Sequence, residues 1–511
     1  MGNVKYLFVK ITNFKPQGFW PGFSAGFFYF GFIFWWFWDL YPLDEFGLES
    51  KLIAGIILII AFILYVATMA LPWGISSLIL VKFIKKIRSR NLVPFLIASI
   101  FTLAEYSRAI LFSVVLYGDG GKIGPHWTMG NIAYWFIDFD FLATTASIWG
   151  IYGIDFVLVS FFSSVLLLFV KTINKKLFLI NLIIIAILVS TANSITSNKN
   201  PSESVSVPIA IIQTNSPFVG FANNVALLED LKNKLNLIQE GANILRPESG
   251  IILLPEGIGF STSLGKILDV TSIGQYFNSL SDKELLIVDS IRSLEDGHYK
   301  SKATFISSQA GVIDFYDKEV LVPGGEFLPY LIKFPLILLN PSLGEKFKSY
   351  REYSAGEKTN IISYKNNQIK TLVCSDFISP TKSNRGQSDF ILSLGSFSVW
   401  GGGRWVVQQA EPILRFRAIE NDKYLAFASN GGKSYVINRH GKIEKMTDFK
   451  SYELLTGVIV PNKNRTWYNY VGDWPILLIS LAFFGLGIIQ LQITYFTNIR
   501  IYKLFIRRFV N

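Results

Sequence analysis

Hydrophobic residues are concentrated in two blocks, residues 18–195 and 473–496, which flank a segment of ordinary globular composition, residues 197–470. Charged residues make up only 17% of the sequence, whereas soluble domains carry about 25%. A helix needs about 20 consecutive apolar residues to cross the hydrocarbon core of a bilayer, and the two blocks supply them. This distribution predicts an integral membrane protein with a globular domain inserted between its spans.

Six segments have the composition expected of membrane-spanning helices. They are Phe19–Trp38, Leu52–Leu80, Asn91–Tyr117, Ile151–Val170, Phe178–Thr191 and Pro475–Tyr495. The second is interrupted at Leu71-Pro72-Trp73-Gly74, so it is either one kinked helix or a span followed by an interfacial piece. Residues 118–150 mix Gly and Asp with aromatic residues, and we expect an outer loop with a re-entrant or interfacial part.

Lysine and arginine give a net charge of +11 and cluster at the ends of the apolar blocks. The clusters are Lys5, Lys10 and Lys15; Lys82, Lys85, Lys86, Arg88 and Arg90; Lys171, Lys175 and Lys176; and Arg500, Lys503, Arg507 and Arg508. Such clusters stay in the cytoplasm, and these alternate correctly with the spans. Both termini are therefore predicted in the cytoplasm and residues 197–470 outside it. Nucleic-acid binding is not predicted, because it needs a basic face with interleaved aromatic residues.

The chain divides into a helical membrane domain (residues 1–195), a polar linker (196–206), a globular domain (207–470) and a C-terminal helix with a basic tail (471–511). In the globular domain a helical run, Asn223–Gly241, lies among short β-rich runs. The predicted strands are Val207–Gln213, Gly250–Leu254, Glu284–Ile291, Lys302–Ser308, Gly311–Tyr316, Ile369–Cys374, Phe390–Leu394, Tyr424–Ala428 and Ser434–Asn438. This alternation predicts a layered α/β domain.

Three segments, each at the end of a predicted strand, carry residues suited to covalent acyl transfer. Pro255-Glu256 supplies a carboxylate, Asp317-Lys318 an ammonium group and Val373-Cys374 the only thiol in the chain. A carboxylate can take the thiol proton, because the thiolate is the nucleophile. An ammonium group, together with the backbone N–H that follows Cys374, can stabilise the oxyanion of a tetrahedral intermediate.

In this chain order, Glu, Lys and Cys resemble the catalytic triad of the nitrilase superfamily. The flanking spans and the stretch Val322-Pro323-Gly324-Gly325-Glu326 narrow the resemblance to its membrane-integral branch, the apolipoprotein N-acyltransferases. The resemblance implies an α–β–β–α sandwich outside a multi-span helical domain. It also implies Glu256 as general base, Lys318 as oxyanion stabiliser and Cys374 as nucleophile, with Glu326 matching the family's second glutamate.

The resemblance extends to the membrane part. Glu105-Tyr106-Ser107-Arg108 is similar to the family's E-W-x-R signature, and Trp149-Gly150-Ile151-Tyr152-Gly153 resembles its G-x-x-G turn. Ionisable residues in a span are costly and usually paired, so Glu105 and Arg108 form either a structural ion pair or a substrate contact. Trp400 is a further residue expected to contact substrate or membrane.

The sequence differs from the family pattern just after the cysteine, and it carries a cluster of tryptophans in the first predicted span. After its cysteine the family has an aromatic residue and a glutamate, whereas this chain has Ser375 and Asp376, which are expected to support the active site. The tryptophans Trp35, Trp36 and Trp38 are expected in the interfacial belt and lipid-facing surface.

The implied enzyme of the bacterial inner membrane moves a fatty acyl chain from a phospholipid to Cys374 as a thioester, then to the α-amino group of a diacylglyceryl-cysteine apolipoprotein. Membrane lipid is then a partner, and no cofactor, metal or nucleic acid is expected. Because both substrates are lipids, the membrane spans favour this reaction over soluble amidase chemistry. The alternatives are a membrane-bound nitrilase-type amidase, another lipid acyltransferase, or a non-catalytic nitrilase-fold protein that binds lipid or a partner.

Overall fold

The computed structural model describes residues 18–43, 50–84, 87, 90–170, 173–197, 205–216, 224–247, 249–260, 276, 278–280, 282–339, 352–384, 386–400 and 403–509. The basic residues Lys5, Lys10, Lys15, Lys85, Lys86, Arg88 and Lys171, and most of the predicted linker, lie outside these ranges.

Five helices within the described ranges are long and apolar enough to cross a membrane. They are α2 (Lys51–Ile84), α3 (Val93–Val115), α5 (Ala146–Phe169), α6 (Lys175–Ser197) and α12 (Trp474–Phe509). Five of the six predicted spans are therefore confirmed as helices. Pro72 lies within α2, so the second predicted span is one helix and not a span followed by a separate piece.

The first predicted span, Phe19–Trp38, is not one continuous α-helix. Helix α1 (Phe19–Ile33) has 15 residues, about 22 Å of helix. The 3₁₀ helix Trp35–Leu40, which buries Trp36, follows it and adds about 12 Å, so the two together are long enough to cross a bilayer core of about 30 Å. The ring of Trp36 lies 5.4 Å from that of Trp400, so the chain leaves the α-helix to pack beneath the α/β domain.

The basic ends of the long helices lie together, away from the α/β domain. Phe83 near the end of α2 packs with Leu96 near the start of α3, and Val93 packs with Leu167 near the end of α5. At the opposite end, backbone carbonyls bind the α/β domain: Ile33 O accepts a hydrogen bond from Gln409 (2.8 Å) and Tyr117 O one from Tyr330 N (2.8 Å). The helical part therefore supports the domain at one end and carries Lys82, Arg90, Lys175 and Lys176 at the other.

The segment 118–145 contains no long helix, and α5 begins at Ala146. The segment holds a 3₁₀ turn, Ile132–Phe136, and the short helix α4 (Asp140–Ala143). Within α5, Gly150 adopts φ 64° and ψ −175°, which interrupts the helix as the predicted turn requires. A Cβ at this position would lie 2.4 Å from the ring of Tyr468, so both the backbone and the packing require glycine.

The α/β part consists of two six-stranded sheets packed face to face. In the first, the order is β12–β1–β2–β3–β4–β5, and in the second it is β11–β10–β9–β8–β7–β6. The strands are β1 (Val207–Gln213), β2 (Ile251–Leu253), β3 (Leu286–Glu295), β4 (His298–Ser307), β5 (Gly311–Asp317), β6 (Ile361–Tyr364), β7 (Asn367–Val373), β8 (Phe390–Ser396), β9 (Leu425–Asn430), β10 (Tyr435–Ile437), β11 (Ile443–Met446) and β12 (Glu453–Ile459). β1, β2 and β3 are parallel, as are β7, β8 and β9.

Alternation along the strands builds the layers. Ile211 and Ile369 belong to the apolar core between the sheets. The opposite face of the first sheet packs against α7 (Asn224–Leu245), and that of the second packs against α10 (Arg404–Asn421) in a core shared with the membrane helices. Three further helices, α8 (Tyr330–Leu339), α9 (Pro380–Asn384) and α11 (Trp467–Val471), lie in the connections. The predicted combination of a helical membrane part and an α–β–β–α domain is thus confirmed.

Candidate active site

The ends of three strands bring the predicted catalytic side chains together. Glu256 follows β2, Lys318 follows β5, and Cys374 follows β7 in the other sheet. The Lys318 ammonium lies 3.3 Å from Glu256 Oε1 and 2.9 Å from Glu326 Oε1. Lys318 is only 2% exposed, so its charge is neutralised by these two carboxylates and not by water.

Cys374 occupies a sharp turn between β7 and the 3₁₀ helix Cys374–Ile378. Its φ of 47° lies in the left-handed region, which non-glycine residues rarely adopt. The following residues hold this turn: Ser375 Oγ donates to Val320 O, and Val373 N donates to Asp376 Oδ2 (3.2 Å). Such strained turns persist only where their surroundings enforce them, and they are common at active sites.

Asp376 ties the cysteine turn to the lysine segment. Its Oδ1 accepts hydrogen bonds from the backbone of Val320 (2.8 Å) and Glu319 (3.3 Å), and its Oδ2 accepts one from Tyr316 Oη (2.9 Å). Burial raises the pKa of Asp376 to about 6, although the hydrogen bonds and Lys318 act to lower it. Asp376, one of the two residues that differ from the family pattern, therefore connects the Cys374 turn with the residues on both sides of Lys318.

Glu326 and a membrane tyrosine organise the loop that follows Lys318. While one oxygen of Glu326 accepts from Lys318, the other accepts from Val322 N (2.8 Å). Tyr65 of α2 donates its hydroxyl to Pro323 O (2.7 Å), so a membrane helix holds the same loop. Tyr65 was missed from the sequence, as was Ser301, whose hydroxyl lies 3.4 Å from Glu256 Oε1. Neither residue carries a sequence signal that indicates these contacts.

The electrostatics of the site favour a protonated thiol at rest. Burial raises the pKa of Cys374, and the charge of Glu256 raises it further, whereas Lys318 opposes the rise. For Lys318, burial disfavours the charge, but Cys374, Glu256 and Glu326 outweigh it and raise the pKa well above the usual range. Lys318 therefore stays an ammonium ion, and Cys374 needs a base when it attacks.

An apolar cavity opens on Cys374. It encloses about 560 Å³ of empty space, which includes its opening to solvent, and its surface is almost entirely apolar. The residues that line it are Trp36, Trp127, Met129, Val322, Cys374, Ser375, Phe377, Ile378, Gly395, Ser396, Phe397, Trp400, Val406, Ala410 and Ile413. Three of them, Trp36, Trp127 and Met129, come from the membrane part. The cavity is therefore built jointly by the two parts of the protein.

The predicted contact residues have different positions. Trp400 lines the cavity, and so does Trp36, which corrects the expectation of a lipid-facing Trp36: it is 7% exposed, whereas Trp35 is 63% exposed. Glu105 and Arg108 are fully buried, form an ion pair of 2.7 Å and do not line the cavity, which favours the structural ion pair over a substrate contact. Among the described residues, no group of three His, Cys, Asp or Glu side chains is arranged to hold a metal ion.

Comparisons with known proteins point to the same resemblance as the sequence motifs. The profile of the apolipoprotein N-acyltransferase N-terminal domain matches residues 4–165. Apolipoprotein N-acyltransferases from Rickettsia bellii and Haemophilus ducreyi are 23% and 25% identical, and each alignment covers 78% of this chain and 76% of the relative. A CN-hydrolase superfamily protein of known structure from Xanthomonas campestris is 18% identical, covers 50% of this chain and 91% of its own, and has a TM-score of 0.35. The resemblance to apolipoprotein N-acyltransferases, which are acyltransferases of lipoproteins, is thus confirmed.

Proposed function

We propose that this protein transfers a fatty acyl chain from a phospholipid to Cys374, and from there to the α-amino group of a diacylglyceryl-cysteine apolipoprotein. The observation that carries the proposal is the apolar cavity on Cys374, whose walls come from both the membrane part and the α/β domain. An apolar chain gains about 0.8 kcal/mol for each methylene that it buries in such a cavity.

In the first step Glu256 takes the thiol proton as Cys374 Sγ attacks the carbonyl carbon of the phospholipid ester. The tetrahedral oxyanion is stabilised by the Lys318 ammonium and by the backbone N–H of Ser375. When the intermediate collapses, the C–O bond breaks and Glu256 returns the proton to the departing lysophospholipid oxygen. The acyl chain remains on Cys374 as a thioester.

In the second step the α-amino nitrogen of the acceptor attacks the thioester carbonyl. Glu256 accepts a proton from the amine, the same two donors stabilise the oxyanion, and the C–S bond breaks. The thiolate takes up the proton held by Glu256, which regenerates the resting enzyme. Glu326 keeps Lys318 in place throughout, since it binds both the ammonium and the backbone of Val322.

We further propose that the protein lies in the bacterial inner membrane, with residues 207–470 outside the cytoplasm and both termini inside. The basic residues Lys82, Arg90, Lys175 and Lys176 support this orientation, because they lie at the end of the helices opposite the α/β domain. Residues 1–195 and 471–511 are then the membrane domain and the C-terminal anchor, joined to the catalytic domain through the linker 196–206.

The test is the intact mass of the purified full-length protein after incubation with phosphatidylethanolamine. We expect an acyl adduct that hydroxylamine removes, and we expect it to be lost in Cys374→Ala, Glu256→Gln and Lys318→Met. Glu444→Gln is the matched control for Glu256, because Glu444 also accepts a hydroxyl hydrogen bond (2.9 Å, from Tyr424) but lies on edge strand β11.

A diacylglyceryl-cysteine peptide added to the isolated acyl-enzyme identifies the acceptor. We expect the acyl mass to move to the peptide. Release of free fatty acid alone would instead support a hydrolase. A folded wild-type protein that never acquires the adduct would overturn the acyltransferase proposal in favour of a non-catalytic lipid-binding protein.

A further inference from the structure

The membrane part contributes to the cavity wall through Trp36 and through one loop, residues 126–131, which we call the cavity loop. Two of its side chains, Trp127 and Met129, line the cavity. The loop lies outside the long helices, so no helical hydrogen bonds fix its backbone. Its position must therefore come from tertiary contacts.

Arg108 of α3 supplies these contacts on the membrane side. Its Nη1 donates to the carbonyl of Met129 (2.9 Å) and, more weakly, to that of Trp127 (3.4 Å). Its Nη2 donates to Asn131 Oδ1 (2.7 Å). One guanidinium thus binds the backbone of both cavity-lining residues of this loop and the side chain of the residue that ends it.

Glu105 sets the orientation of that guanidinium. Glu105 Oε2 accepts from Arg108 Nε (3.0 Å) and Nη2 (2.7 Å), while Glu105 Oε1 accepts from the indole of Trp73. The guanidinium carbon also lies 4.8 Å from the centre of the Phe30 ring. Because a guanidinium is planar and rigid, these contacts leave it a single orientation.

The α/β domain holds the same loop from the other side. Thr128 Oγ1 donates to the carbonyl of Ile378 (2.6 Å), and Ile378 itself lines the cavity. Asn131 Nδ2 donates in turn to Asp155 of α5 (2.7 Å). The cavity loop is thereby fixed between the membrane helices and the α/β domain.

We infer that Arg108, oriented by Glu105, is a positioning residue that fixes the membrane-side wall of the cavity and so determines which acyl chains the enzyme prefers. The inference rests on the proposed function. A chain long enough to contact Trp127 and Met129 gains binding energy from a fixed wall, whereas a shorter chain does not reach these contacts. Lysine in place of Arg108 keeps Glu105 paired but cannot bind three acceptors in one plane.

The test is a competition between three phosphatidylethanolamines with short, medium and long acyl chains, supplied together in equal amounts to the full-length protein in detergent. Each chain gives an adduct of its own mass on Cys374, and the ratio of adducts does not depend on the fraction of protein that is folded. The variants are Arg108→Lys and Met129→Ala, of which the second leaves the buried ion pair intact. Arg465→Lys is the matched control, because Arg465 also donates to a carbonyl (Asn469, 3.2 Å) and lies 4.3 Å from an aromatic ring, away from the cavity.

We expect the wild type to prefer one chain length and both variants to lose at least about fourfold of that preference, the effect of one buried methylene. The control should keep it. Wild-type ratios in Arg108→Lys, an equal loss of all three adducts, or a wild type without any preference would each overturn this inference alone. Absence of every adduct on the wild type would overturn the proposed function as well.

Discussion

Glu256 and Lys318 have opposite effects on the pKa of the Cys374 thiol, so removing one charge or the other should shift this pKa in opposite directions. Burial is the main cause of the raised pKa of Cys374, and it remains after either side chain is changed. Beyond burial, the charge of Glu256 raises this pKa and that of Lys318 lowers it. Glu256→Gln should therefore lower the pKa of the thiol, and Lys318→Met should raise it.

The size of each change follows from the neighbouring charges. Two unit charges about 4 Å apart interact by about 4 kcal/mol at an effective dielectric constant of about 20, which corresponds to about 3 pH units. Measured effects of one adjacent charge on a pKa are about 1 to 3 pH units, and we expect each single substitution to fall in this range. The double variant loses both charges, which act on the thiol in opposite directions. Its thiol pKa should therefore return towards the wild-type value.

The assay is the pH dependence of alkylation by a small thiol reagent, followed by intact mass. Cys374 is the only cysteine, so every mass increase reports on this site alone. Glu256→Gln should be alkylated faster than the wild type at the same mildly alkaline pH, and Lys318→Met more slowly. Glu256→Gln should nevertheless form no acyl adduct, because it has a more acidic thiol but no base.

Two results would refute this reasoning. If both substitutions moved the pKa in the same direction, packing and not charge would control the thiol. If Glu256→Gln had wild-type acidity while Glu444→Gln changed it, the carboxylate that acts on Cys374 would not be Glu256.

Further predictions concern the support of the site, the cavity and the orientation. Glu326→Gln should slow acyl-enzyme formation about 10- to 100-fold, since an amide oxygen cannot replace both carboxylate acceptors and one charge-assisted hydrogen bond is worth about 1.5–3 kcal/mol; adduct formation over time measures this. Asp376→Ala should lower the free energy of unfolding by at least about 2 kcal/mol, because it leaves buried donors unpaired. A calorimetric melting curve would show the loss. Wild-type stability would contradict the proposed role of Asp376 in connecting the cysteine turn to the lysine segment. Ala410→Phe should fill part of the cavity and lower the free energy of unfolding by about 1–3 kcal/mol. In the competition assay it should reduce labelling by long-chain donors more than labelling by short-chain donors. In a Cys374→Ala background, a membrane-impermeant maleimide should label Lys433→Cys in intact spheroplasts, and Lys176→Cys only after lysis; the reverse pattern would contradict the orientation.

The sequence was sufficient to predict that Glu256, Lys318 and Cys374 lie at the ends of strands, where the structure places them; their catalytic roles stay predictions. Glu256 comes just after the apolar run Ile251–Leu254, and Cys374 ends the β-rich run that begins at Ile369. Such short runs are typical of buried strands. The chain order of Glu, Lys and Cys then supplied the resemblance. Strands β6, β11 and β12 were missed. All three are edge strands whose residues are mostly exposed or partly exposed, so they lack the buried apolar pattern of the central strands.

The cavity could not be predicted in the same way. Its walls come from the 3₁₀ turn after α1, from the cavity loop and from α10, which are far apart in sequence and share no periodic pattern. Trp36 illustrates the problem, because three of the four residues Trp35–Trp38 are tryptophans and only the tertiary fold buries Trp36 while it leaves Trp35 exposed. Residue types alone place such tryptophans in a membrane belt.

The short α1 and the buried ion pair of α3 both help to place side chains of the membrane part in the cavity wall. Where α1 ends, the chain turns Trp36 into the cavity, and Arg108 fixes the loop that brings Trp127 and Met129 to the same space. The apolar core formed by the second sheet and α10 continues into the membrane helices, so the α/β domain alone would expose part of this core to water. The membrane part is therefore more than an anchor: without it the thiol, base and ammonium group would still meet at the strand ends, but the space on Cys374 would lose the walls that the helical part supplies. On the proposed function, substitutions of the side chains at the strand ends should alter the rate, whereas substitutions in the cavity walls, which both parts supply, should alter the chain preference.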